Sequence, residues 1–184
     1  MRLREELCLS DMIALDHADA IKQIPRCRTW PLESLPIELE HLVHFRTRGI
    51  GFGAMAVPDT DGSVDIIFND AHTPKAIRTY LMEEVFHLRL GHRPDILRTY
   101  AEAGIYRTYS QAKENEAYGC GVAALVPYGG LEAMLADGEH ISRIAEHFIV
   151  PVSVVQFRVE ATKLGELANA TTSQRSLMSG ATYF

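Results

Sequence analysis

Apolar positions follow two rhythms along the chain, one repeating every three to four residues and one confined to short unbroken runs. After Ser10, an N-cap candidate, "DMIALDHADAIKQI" spaces its apolar residues along one helix face and stops at Pro25, which predicts a first helix over 11–24. "SLPIELEHLVHFRTRG" repeats the pattern, with Pro36 near its start and Gly49 behind its end, and predicts a second. "GFGAMAV", "PDTDG" and "SVDIIF" then read as strand, turn and strand. The "GIGFG" at 49–53 leads into that strand and not into a helix N-terminus, so it lacks the context of a phosphate loop. Helical spacing returns from Pro74 through Leu90, closed by Gly91, and again from about Ser110 to Val126, stopped by Pro127. Shorter helical pieces follow at about 130–137, 139–148 and 152–165, and a small, polar tail at 168–184 is expected to be flexible. The pattern predicts an α+β chain, mostly helical, with a small β-sheet and C-terminal helices.

With 184 residues, 47% of them hydrophobic, the chain can bury the core of one compact unit. A net charge of −6 and a pI near 5.7 leave no footprint for nucleic acid or an anionic membrane surface. No apolar run reaches the roughly 18 to 20 residues of a membrane span, and charges interrupt "MRLREELCLSDMIALDH" too often for a signal peptide, so a cytoplasmic protein is expected. Cys8, Cys27 and Cys120 are odd in number and form no Cys-x-x-Cys pair. They predict reduced thiols, neither a disulfide framework nor a thiolate zinc site.

The chemistry concentrates in "LMEEVFHLRLGH", residues 81–92. Helical residues turn about 100° apart, so positions four apart lie about 40° apart, and Glu83 and His87 project from nearly one face. They can hold one metal ion together. Glu84 lies about 60° from His87, where a carboxylate reaches a water beside the metal. Glu83-Glu84-Val85-Phe86-His87 therefore matches the His-Glu-x-x-His helix of zinc peptidases at each fixed position except the first. Zinc needs a third protein ligand and an open position. "KENEAYGCGVAALVP", residues 113–127, is the best supplier: Glu114 and Glu116 open it, and Ala117, Gly119, Gly121 and Ala123 permit close approach to a neighbour. Packing on the 74–90 helix would carry Glu116 toward His87, making Glu83, His87 and Glu116 the expected ligands.

Plainer readings exist for each residue. Paired glutamates on a helix are ordinarily solvated, a lone histidine between Phe86 and Leu88 is ordinarily a hydrogen-bonded core residue, and Glu116 alone is ordinarily at the surface. His92 ordinarily meets the helix dipole, though a further ligand or proton donor is an alternative role. Glu84-x-x-His87 is also the spacing of carboxylate-bridged di-iron bundles, which need it twice, and no second copy is expected in this chain.

Three segments in order resemble the ImmA/IrrE family of cytoplasmic metallo-endopeptidases. "DIIFNDAHTPKAIRTYLMEEVFHLRLGH" (65–92) is similar to its strand, Asn-containing loop and zincin helix ending in Leu-Gly-His; "ENEAYGCGVAALVP" (114–127) to its Glu-x-Glu-Ala-Asn segment; and "ISRIAEHFIVPVSVVQFRVEATKLG" (141–165) to its downstream helices. With a weaker N-terminal match the resemblance covers about 10–167. It implies a zincin-like core over 1–130 and a helix-turn-helix-like extension of the same unit over 131–167. It also implies Glu84 as general base, His87 as zinc ligand, Glu116 as the distal carboxylate ligand, and helix-turn-helix transcriptional repressors as substrate class. The family has His at the position of Glu83 and usually Asn at that of Tyr118. Carboxylate oxygen is a sound zinc donor, but two carboxylates and one imidazole neutralise the dication and polarise a carbonyl less. Zn2+ is the expected cofactor, with Mn2+ or Fe2+ as alternatives and weaker catalysis than at a two-histidine site.

Two functions compete on that fold: an endopeptidase with Glu84 activating water, receiving substrate along the edge of the 64–68 strand, and a degenerate pseudo-peptidase that binds a regulatory partner without cleaving it. DNA binding is a third reading, since "RIAEHFIVPVSVVQFRV" has helix-turn-helix rhythm. Charge opposes it. Residues 131–167 carry Glu132, Asp137, Glu139, Glu146, Glu160 and Glu166 against Arg143, Arg158 and Lys163, a net of −3.

Overall fold

Where Val and Ile runs replace the helical rhythm the chain pairs as sheet, and the rest is helical. A computed structural model describes residues 2–47, 53–93, 96–100, 104–108 and 110–168. Strands β1 (Cys27–Pro31), β2 (Ala54–Pro58) and β3 (Val64–Phe68) form a mixed sheet in the order β1-β3-β2. β1 runs parallel to β3 with Thr29 opposite Ile66, and β2 runs antiparallel with Ala56 opposite Ile66. Gly62, at φ +79°, turns the chain from β2 to β3. The 64–68 strand is therefore central and offers no edge, which corrects that expectation: β1 and β2 are the edges. The pattern does not single out β1, because "CRTWP" is short, mostly exposed and closed by a proline that only an edge strand tolerates. A second, two-stranded sheet pairs β4 (Ile96–Tyr100) with β5 (Gly104–Thr108), again unannounced by the apolar pattern.

The helices are α1 (Arg2–Glu6), α2 (His17–Lys22), α3 (Leu39–Thr47), α4 (Pro74–Arg89), α5 (Gln111–Leu125), α6 (Tyr128–Ala136), α7 (Ile141–His147) and α8 (Val152–Thr162). α4 starts where Thr73 accepts a hydrogen bond from the Ala76 amide and Pro74 occupies the first turn; it ends before Gly91, whose φ of +67° suits a left-handed stop. The helix expected over 11–24 is shorter. Residues 11–16 are not helical, because the buried Arg4 guanidinium takes the carbonyls of Ser10 (2.5 Å) and Ile13 (2.6 Å) as its acceptors. α3 likewise begins after Pro36, behind a 3-10 turn at Leu32–Ser34. Gly49 and residues 169–184 of the tail lie outside the described residues.

Contacts divide the chain into two units, the described residues of 17–121 and those of 1–16 with 122–184. The boundary falls inside α5, and the N-terminal segment groups with the C-terminal helices. In the 17–121 unit α4 lies against β2, β3 and α2, with Leu81, Met82 and Val85 buried alongside Ala20, Ile21, Ala56 and Ile66. In the other, Leu3, Leu125, Leu131, Leu135, Ile144, Phe148 and Val155 are buried and α7 packs on α8. Gly130 admits no side chain there, since a Cβ would meet the Asp11 backbone and the Phe148 ring. No single helix among the described residues is long and apolar enough to cross a membrane.

Candidate metal centre

Three donors meet where α4 faces the first turns of α5. Glu83, His87 and Glu114 each offer a ligand atom, and these atoms all lie within 4.8 Å of one another. His87 is buried, and its Nε2 stands 3.3 Å from Glu114 Oε2. Glu83 and His87 share this face as their four-residue spacing requires.

The phase of α5 explains why Glu114 is the third member. A Cβ on Gly121 would stand 3.1 Å from the Met82 carbonyl and 3.2 Å from the Glu83 amide, so the two helices approach backbone to backbone at that point. Seven residues make almost two full turns, which places Glu114 within about 20° of the Gly121 face and Glu116 about 140° from it. Glu116, the expected ligand, instead has a largely exposed side chain whose Oε2 lies 3.2 Å from Nε2 of His92. The signal that distinguishes the two glutamates is the line Glu114, Ala117, Gly121, with Ala117 fully buried, but the neighbouring stripe of small residues masks it in the sequence.

Glu84, the expected base, is buried on α4, and its Oε2 accepts a 2.7 Å hydrogen bond from the Ala56 amide of β2. One carboxylate oxygen is thus tied to the edge strand. Burial first, and then repulsion from Glu114 and Glu84, pushes the Glu83 carboxyl up to about 7. A divalent cation between these donors would relieve that repulsion, and two carboxylates with an imidazole form a chemically sound donor set for zinc or a harder ion. Tyr118, where the family usually has Asn, feels the same charge. Burial raises its phenol first, followed by Glu83 and Tyr80.

The Tyr80 ring lies against Gly53, where a Cβ would collide with it, and meets His72 edge-on at 5.1 Å. Close approach of an aromatic ring accounts for that glycine of "GIGFG". A second Glu-x-x-His does occur, at Glu38 and His41, and with Glu40 it forms another group of possible donors. All three are exposed, so this group lacks the burial that distinguishes the α4 site.

The sheet lying against a zincin-type helix, with carboxylate and imidazole donors four residues apart and a third donor on the next helix, defines the class of zincin-like metallopeptidases. A model of a peptidase family described as the IrrE N-terminal-like domain matches residues 35–160, and the chain belongs to that family. No curated protein and no solved structure matches it.

Proposed function

We propose that the chain is a metal-dependent endopeptidase that cleaves a regulatory protein, with helix-turn-helix transcriptional repressors as the substrate class implied by its resemblance to the ImmA/IrrE enzymes. The observation that carries this reading is the meeting of Glu83, His87 and Glu114 on the face of α4 that Glu84 adjoins. These three residues would hold the ion, zinc first and manganese or iron as alternatives, since two of the three donors are hard oxygens. When bound, the ion would supply Lewis acidity to a peptide carbonyl and to water. Glu84 would take the proton from that water and return it to the leaving amine, with its hydrogen bond to Ala56 keeping the carboxylate in one orientation. β2, the edge strand that carries Ala56, would receive an extended substrate by strand addition.

Two features favour a second reading, a pseudo-peptidase that binds its regulator without cutting: the carboxylate at Glu83 and the engagement of Glu84 with a strand amide. Metal content per chain separates the two, measured for the wild type and for His87→Ala and Glu114→Ala. The peptidase reading expects a single equivalent that both substitutions abolish, and repressor cleavage that Glu84→Gln abolishes without loss of metal. Glutamine still accepts from Ala56, so that variant removes the base and keeps the strand contact. Absence of metal after incubation with zinc, manganese and iron would leave the non-cleaving regulator binder.

A further inference from the structure

His92 stands outside the three donors, yet its side chain is only 8% exposed. Gly91 reverses the chain at the end of α4, and the His92 amide donates to the His87 carbonyl at 3.0 Å, which brings the second imidazole back over the first. The rings meet edge-on at 5.1 Å and 69°, with His87 Nδ1 3.1 Å from His92 Nδ1. His92 Nε2 in turn stands 3.2 Å from Glu116 Oε2. Lys113 donates to the Arg93 carbonyl at 2.9 Å and ties this segment to α5.

The direction of these hydrogen bonds follows from Glu116. A carboxylate only accepts, so His92 Nε2 carries the proton; a neutral His92 then offers a lone pair at Nδ1, and His87 Nδ1 must donate to it. Glu114 Oε2, 3.3 Å from His87 Nε2, is a rival acceptor for the same proton, and the lone pair of His92 Nδ1 draws it to Nδ1 instead, which leaves Nε2 as the ligand atom toward Glu114. We propose that His92 and Glu116 are positioning residues, a relay from carboxylate to imidazole that fixes the tautomer and ring plane of His87 so that Nε2 is presented to a divalent cation. The proposal rests on the metal-site reading above and gives Glu116 a role different from that of a ligand. Metal-binding histidines ordinarily have their second nitrogen held by a carboxylate, carbonyl or water, and here a second imidazole intervenes.

The test uses the full chain in two arms. In the first, zinc affinity is measured by competition with a chelator for the wild type, His92→Leu, His92→Asn, Glu116→Ala and His87→Ala. His92→Leu is expected to weaken binding about ten- to a hundred-fold. His92→Asn, whose amide oxygen can occupy the Nδ1 position, recovers most of that loss, and Glu116→Ala weakens binding by less than His92→Leu. In the second arm, long-range nitrogen–proton NMR of the metal-free protein at a pH where imidazoles are neutral locates protons on His87 Nδ1 and His92 Nε2, with His87 shifting toward Nε2–H in His92→Leu. Wild-type affinity in His92→Leu, or a His87 Nε2–H tautomer in the wild type, overturns the relay. So does an equal and complete loss in His92→Asn and His92→Leu, which would make His92 itself a ligand. Protons placed as stated in a protein that binds no metal would sink the metal-site reading and, with it, the presentation of Nε2 to a cation, leaving only the tautomer assignment standing.

Discussion

Glu83 lies one turn before His87 on α4, with Glu84 beside it and Glu114 opposite, and both neighbouring carboxylates add to the burial cost of its charge. Its carboxyl titrates near 7 in the folded chain against an ordinary value of 4.5. Between those two values the folded state keeps a proton that the unfolded state has released, so this residue lowers stability as pH rises through that window. Metal-stripped protein should therefore unfold at lower urea concentration near pH 8 than near pH 5, and the difference should shrink in Glu83→Gln. Saturating zinc should reverse the order, since the ion binds only the folded state and binds it more tightly at the higher pH, where its ligands have released their protons. Glu83→His restores the second imidazole and leaves the ion a positive charge, so zinc affinity or hydrolysis should rise. If both vanish while the fold survives, Glu83 does not stand in for the histidine.

α4 and α5 were readable as elements because their signals are local: a Thr73-Pro74 start and a Gly91 stop in one case, Pro127 in the other. The donor on α5 was not, since the choice between Glu114 and Glu116 depends on which face of the helix turns inward. That is decided by the backbone contact of Gly121 with Met82 and Glu83, which no local pattern announces. The same contact separates two otherwise alike glycines. Nothing lies within 4 Å of a Cβ at Gly119, so Gly119→Ala should add up to about 1 kcal/mol through helix propensity alone. Gly121→Ala gains the same propensity but must push α5 away from α4, at a typical cost of about 1 to 3 kcal/mol for overpacking. Chemical denaturation with zinc titration should find Gly119→Ala stabilised with affinity intact, and Gly121→Ala weaker in metal binding. Equal behaviour of the two would mean that the interhelical approach does not set the position of Glu114.

Over the whole molecule, the mostly helical α+β character was legible, while β1 and the course of the N-terminal segment were not. β1 pairs along the edge that β3 offers it, with Arg28 and Asp65 meeting across the strands at 2.6 Å, a partnership between distant positions. Residues 11–16 carry the helical spacing that predicts a helix over 11–24, yet Arg4 overrides it there through the carbonyls of Ser10 and Ile13. Arg4 Nη1 also donates to the Ala124 carbonyl at 2.8 Å, in the last turn of α5. Burial lowers the pKa of its guanidinium, partly offset by Asp11, so its charge is held at a cost that these acceptors must exceed. Arg4→Met keeps much of the apolar volume and removes all three hydrogen bonds, leaving the carbonyls to find water; a loss of at least about 2 kcal/mol is expected, with new proteolytic cuts within residues 1–16. Ala124 lies ten residues beyond Glu114, about 15 Å along the helix, and every donor of the candidate site belongs to the 17–121 unit. Zinc affinity should accordingly be unchanged in Arg4→Met. A parallel fall in stability and affinity would mean that the end of α5 transmits its order to the site, and that the two units do not act independently.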